Sequence, residues 1–341
     1  MGLNKIRIFF LSLLAFLCLG FYYSEDLAYG LLQARGQLMV LGDAREVSEL
    51  LEDPKISLDM KKGLRQVGEI KGFANDKLRM EAEGLYETMY DQNGKDILWN
   101  LSACKPFDIE EKVWTFPIVG EVSYKGFFDL AKARLEEAQL KEQGYDARIR
   151  PVSAWSTLGW FDDPILSKTL DRDPGSFAEL LIHEITHTHI FYRDSIRFNE
   201  NLASFIGEQG AILFLKDKYG SESQELMSYL AKQGDDRLFT NHCLNGLAGL
   251  KLLYNGFDDE MSVDYKSLEK SAYMKAWVGE LHAIEFSDSL RYKEAFKDDL
   301  PNNAFFMAFA RYDSKKSLFA DQLKMEFSGD LRQFIDAHRD D

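Results

Sequence analysis

The chain has 341 residues, of which 41 are Lys or Arg and 56 are Asp or Glu, leaving a formal charge of −15. That balance argues against a nucleic-acid binder, which needs a basic footprint, and a content of 45% hydrophobic and 13% aromatic residues excludes a disordered chain. Three cysteines, Cys18, Cys104 and Cys243, are too few for a disulfide scaffold or a cysteine-rich zinc module.

Lys5 and Arg7 precede residues 8–23, where only Ser12 and Gly20 are neither apolar nor aromatic. Glu25 and Asp26 follow. Basic residues before the run and acidic ones after it place the N-terminus in the cytoplasm and the bulk of the chain outside. Residues 1–26 therefore read as an uncleaved transmembrane anchor, slightly short of a full span. A cleaved signal peptide is one alternative, but Ala28-Tyr29-Gly30 lies beyond the acidic pair. Lipidation of Cys18 is another, against which the large Leu17 stands.

Residues 27–95 read as helical, with segments at 31–41, 47–51, 58–73 and 77–90 ahead of the turn Asp91-Gln92-Asn93-Gly94. Residues 96–215 change texture. Segments 97–101, 114–118, 120–124 and 148–155 are rich in β-branched and aromatic residues and read as strands. Residues 127–143 read as a charged helix, 156–164 as a loop, and Ser176 as the start of another helix. From 216 to 341 the pattern is a helical lobe, with segments at 225–232, 236–254, 267–286, 304–311 and 317–338, after one at 213–219. The expected fold is α+β and mostly helical, with a small mixed β-sheet.

The chemistry concentrates in His183-Glu184-Ile185-Thr186-His187. On a helix, residues four apart sit about 40° apart around the axis and one turn up, so both imidazoles reach one metal ion. Glu184 falls where it touches metal-bound water as a general base. Pro174-Gly175-Ser176 offers Ser176 as the N-cap, with Glu179 three residues on as a capping box. The competing reading is a helix whose two histidines are ordinary satisfied groups; with only six His in the chain, chance produces this spacing rarely.

A catalytic zinc takes a third protein ligand. Glu200 lies thirteen residues after His187, enough for the first helix to end, the chain to reverse at 193–195, and a second helix from Phe198 to return a carboxylate. Glu208 is the rival. It stands about 12 Å further along a straight helix, so both carboxylates cannot reach one ion. His189 points to another face of its helix.

These residues resemble a bacterial family of putative aminopeptidases, membrane-associated or lipoprotein-like zincins with a Glu third ligand. The resemblance runs from about residue 30 to 335. Beyond His183-Glu184-x-x-His187 and Phe198-Asn199-Glu200-x-x-Ala203 it covers Gly36-Gln37-Leu38, Trp99-Asn100, Phe116-Pro117, Tyr124-x-Gly126-Phe127-Phe128-Asp129, Gly144-Tyr145-Asp146, Ser156-Thr157-Leu158-Gly159-Trp160-Phe161 and Asn302-Asn303-Ala304 with Tyr312. The chain departs from the family at Leu17, where a small residue usually precedes the lipidated Cys, and at Ile185-Thr186, where Leu-Ala is usual. The resemblance implies a zincin-like metallopeptidase over residues 27–341 that acts on peptides outside the cytoplasm.

The expected activity is zinc-dependent peptide hydrolysis, with His183, His187 and Glu200 as ligands and Glu184 as base. Tyr312 is a candidate oxyanion donor and Trp160 a candidate cleft wall, each against an ordinary packing role. Asp162 and Asp163 are candidates to bind a substrate amine. Two other readings stay open: a membrane-anchored zinc-binding module without peptidase activity, against which the intact Glu184 counts, and a zincin acting on a non-peptide amide. Cys104 and Cys243 read as core thiols, and His242, His282 and His338 as isolated.

Overall fold

A computed structural model describes residues 24–82, 84–116, 120–152, 163–193, 195–310 and 316–339. The apolar run at 8–23, Asp162, Trp160 and Tyr312 lie outside the described residues. Among the described residues, no helix is long and apolar enough to cross a membrane.

The order begins with helix α1 (Ser24–Asp43), strand β1 (Arg45–Glu46), α2 (Val47–Glu52), α3 (Leu58–Leu78), β2 (Thr88–Tyr90) and β3 (Trp99–Cys104). It continues with β4 (Trp114–Phe116), β5 (Gly120–Val122), β6 (Lys125–Phe127), α4 (Leu130–Glu142), β7 (Asp146–Pro151), β8 (Ile165–Leu166) and a 3₁₀ turn (Ser167–Asp171). Then come α5 (Pro174–His189), α6 (Ile196–Tyr219), α7 (Gln224–Asn255), α8 (Val263–His282), α9 (Asn303–Ala310), α10 (Lys316–Glu326) and α11 (Leu331–Ala337). The mostly helical α+β architecture matches the sequence reading.

Several boundaries differ, each for a local reason. The helix expected over 77–90 stops at Leu78, because Arg79 adopts a left-handed conformation (φ 56°) and the Met80 amide turns back onto the Ala74 carbonyl. Thr88–Tyr90 is then a strand. Phe127 belongs to a strand, and α4 starts after Asp129, whose carboxylate accepts from the Ala131 and Lys132 amides. The two helices read at 225–232 and 236–254 are one. The helix read at 317–338 breaks at Ser328 and Gly329, both with positive φ.

Three small sheets stand where one was expected. In the first, β2 pairs antiparallel with β1 and parallel with β8. In the second, β3 is central and antiparallel to β6 and β7, with Leu101 and Ala103 buried on α4. The third is the β4–β5 hairpin.

The main core joins distant stretches of chain. Ile70 and Phe73 of α3, Met89 of β2, Ile182 and Ile185 of α5, Phe205 and Ile206 of α6, and Phe334 and Ile335 of α11 form one buried cluster. A second, aromatic cluster lies between α7, α8 and α9 around Trp277 and Phe306.

Candidate metal centre

Helix α5 carries the His-Glu-x-x-His segment, and its start differs from the expected one. Asp173, not Ser176, is the N-cap: its carboxylate accepts from the Ser176 amide at 2.9 Å, and Pro174 takes the first helical position, where its missing N–H costs nothing. Glu179 is thus released from any capping role. It accepts hydrogen bonds from the Tyr229 hydroxyl and the Gln233 amide, each at 2.9 Å. Phe177, Ala178, Leu181, Ile182 and Ile185 are all buried, which fixes the rotation of α5 about its axis.

The chain leaves α5 at Ile190 in extended conformation and reverses before Ile196. Asn199 holds this reversal by accepting from the Tyr192 amide at 2.9 Å and donating to the Tyr192 carbonyl at 2.8 Å. Helix α6 then runs back antiparallel along α5, pairing Glu200 with His187, Ser204 with His183 and Gly207 with Glu179. At Gly207 the backbones nearly touch: a Cβ there would lie 2.7 Å from the Glu179 carbonyl oxygen and 3.2 Å from His183 Cβ. Only glycine permits that approach.

The result is a triangle of ligand atoms. His183 Nε2 and His187 Nε2 are 3.1 Å apart, and the two Glu200 oxygens lie 3.6 Å from the first and 3.5 Å from the second. These three residues can hold a metal ion. With bonds of about 2.0–2.1 Å, adjacent ligands of a tetrahedral zinc are separated by about 3.3–3.4 Å, and the three separations bracket that value. The donor set of two imidazoles and a carboxylate also suits zinc.

Behind the triangle, Ser204 Oγ sits 3.4 Å from His183 Nδ1. In the tautomer that donates Nδ1–H to this hydroxyl, the Nε2 lone pair faces the other ligands. Burial pushes the His183 imidazole toward neutrality, but the bond to Glu200 and the charges of Glu184, Glu200 and Glu179 outweigh it and raise its pKa. Burial and the neighbouring His183 push His187 down to about 4. Burial would raise Glu200, yet its bond to His183 and the field of His187 bring it below the usual carboxylate value. Glu184 is raised, first by burial and then by Glu200 and Asp163, against the pull of His183.

The structure brings His183, Glu184, His187 and Glu200 together. Glu208 is elsewhere, 3.7 Å from the Arg237 guanidinium, and His189 bonds the Glu81 carbonyl at 2.7 Å. Cys104 and Cys243 are both buried and free. Sequence reading missed Ser204, Gly207 and the bonds of Glu179. Ser204 and Gly207 had a faint signal: small residues one and two turns beyond Glu200 on the same helix.

Two helices thus present two imidazoles and a carboxylate to one point, a group that could hold a metal ion, beside the half-buried Glu184 carboxylate. A family model described as putative aminopeptidase matches residues 28–340, and the chain belongs to that family. No curated protein and no solved structure matches the chain significantly. Membership of the family supports a peptidase.

Proposed function

We propose that the protein is a zinc-dependent aminopeptidase whose active site is the α5–α6 helix pair. The observation that carries this reading is the ligand triangle of His183, His187 and Glu200 with Glu184 next in chain to the first ligand. The three ligands would hold zinc, which when bound lowers the pKa of a coordinated water to about 7 and polarises the scissile carbonyl. Glu184 takes the proton from the attacking water and passes it to the leaving amine, so that one water and one peptide bond become a carboxylate and an amine. Its raised pKa suits a group that must both accept and return a proton. Gly207 and the Glu179–Tyr229–Gln233 bonds keep the ligands in register. In this reading residues 8–23 tether the enzyme to the membrane with the helix pair outside the cytoplasm.

The test is peptide hydrolysis by the purified protein and by Glu184→Gln, with metal content measured in both. The expected result is zinc in both proteins and hydrolysis in the parent alone, with release of N-terminal residues. Full activity in Glu184→Gln, or a parent without metal, would sink the proposal.

A further inference from the structure

Tyr86 lies in the turn between α3 and β2 and has a left-handed backbone, with φ 56°. A bulky side chain rarely adopts that conformation, and it persists only where the surroundings hold it. Here both neighbours are held. Lys71 Nζ donates to the Leu85 carbonyl and pairs with the Glu87 carboxylate, each at 2.5 Å, and the Val47 amide donates to the Glu87 carbonyl at 2.8 Å. The turn thereby drives the Tyr86 side chain inward, onto the main core.

Its hydroxyl arrives beside α5. Tyr86 and Glu184 line the same small chamber with Ile165, Leu166, Leu181 and Thr169, and the chamber has a volume of about 20 Å³. Burial, with the fields of Glu184 and Asp163, keeps the phenol protonated well above its usual range. A chamber of roughly this size that presents polar groups takes one water. Ile165, Leu166 and Leu181 wall much of the remainder, and the Thr169 hydroxyl already donates to the Leu166 carbonyl, so a water there has Tyr86 and Glu184 as its natural partners.

We propose that Tyr86 is a positioning residue for Glu184, acting through a single water in this chamber that accepts from the Tyr86 hydroxyl and donates to the carboxylate. The water fixes one carboxylate oxygen on the chamber side. The other is left to serve the reacting water. The strained turn is what brings a hydroxyl to this point from a segment more than ninety residues earlier in the chain. This role rests on the peptidase reading, since it presumes that Glu184 is the base.

The test is Tyr86→Phe, which deletes the hydroxyl and keeps the ring. Two measurements apply: steady-state kinetics, and high-resolution crystal structures of parent and variant. The parent should show one ordered water within about 3 Å of both Tyr86 Oη and Glu184. In the variant this water should be absent or displaced, kcat should fall about tenfold as for other outer-shell partners of a metal site, and KM, zinc content and Tm should stay near the parent's. A kcat within twofold of the parent, or a Tyr86 hydroxyl bonded directly to a protein atom with no shared water, overturns the proposal. If the parent cleaves no peptide, the peptidase reading fails, and the crystal structures still decide whether Tyr86 holds Glu184.

Discussion

Two helical regions of this molecule use histidine in opposite ways. On α7, His242 stacks on Trp277 at 4.5 Å, its Nε2 meets the Trp277 carbonyl at 3.0 Å, and the indole N–H returns a bond to the His242 carbonyl at 3.1 Å. Each group there is satisfied by backbone. On α5, His183 and His187 turn Nε2 atoms toward each other and toward a carboxylate. Two imidazoles at that distance need a proton or a cation between them. The difference separates a histidine that completes a core from a pair that, with Glu200, could hold a metal ion. His189, His282 and His338 fall with His242, each bonded to a backbone carbonyl.

The two regions also share a device, a glycine under a close neighbour. Gly207 lies against Glu179 and His183, whereas Gly246 lies beneath Trp277, where a Cβ would stand 2.4 Å from the indole nitrogen and 2.7 Å from Phe306. One glycine sets the spacing of ligands and the other sets the packing of rings.

The comparison can be broken at several points. The largest effect is expected from Glu184→Gln, which should lower kcat by about 10²–10⁴-fold with zinc retained; peptide hydrolysis and metal analysis check it. Gly207→Ala comes next. It should cost about 1–3 kcal/mol of stability by overpacking and also weaken zinc binding, read by denaturant titration and by competition with a chelator. Gly246→Ala should cost a similar 1–3 kcal/mol but leave zinc affinity at the parent's value. Equal losses of zinc affinity in the two glycine variants would show that the helix pair is not specially built. The smallest effect is expected from Arg237→Ala. Its side chain is 67% exposed and the guanidinium is 3.7 Å from Glu208, so stability should change by less than about 0.5 kcal/mol.

The two candidate imidazole ligands were legible in the sequence because a helix fixes where residues four apart point, and that geometry needs no tertiary knowledge. Glu200 was legible for a similar reason: the chain length after His187 allows one reversal, and helical rise separates Glu208 from it. The cap was misread because Ser176 and Asp173 are both good N-cap residues, and Pro174 decided for the earlier one. The end of α3 was missed because Arg79 has no turn-forming character of its own; its left-handed backbone is imposed by the following chain returning to the core. Ser204, Gly207 and Tyr86 owe their roles to contacts across elements, which periodicity along one element does not encode. Cys104 and Cys243 are both buried and unpaired with each other, in line with their reading as core thiols.

The most direct test of the central claim is zinc stoichiometry after dialysis, measured on the parent, Glu200→Ala and Glu208→Ala. The geometry predicts one zinc per chain in the parent and in Glu208→Ala, and loss of zinc in Glu200→Ala. Zinc kept by Glu200→Ala and lost by Glu208→Ala, or no zinc in the parent, would contradict it.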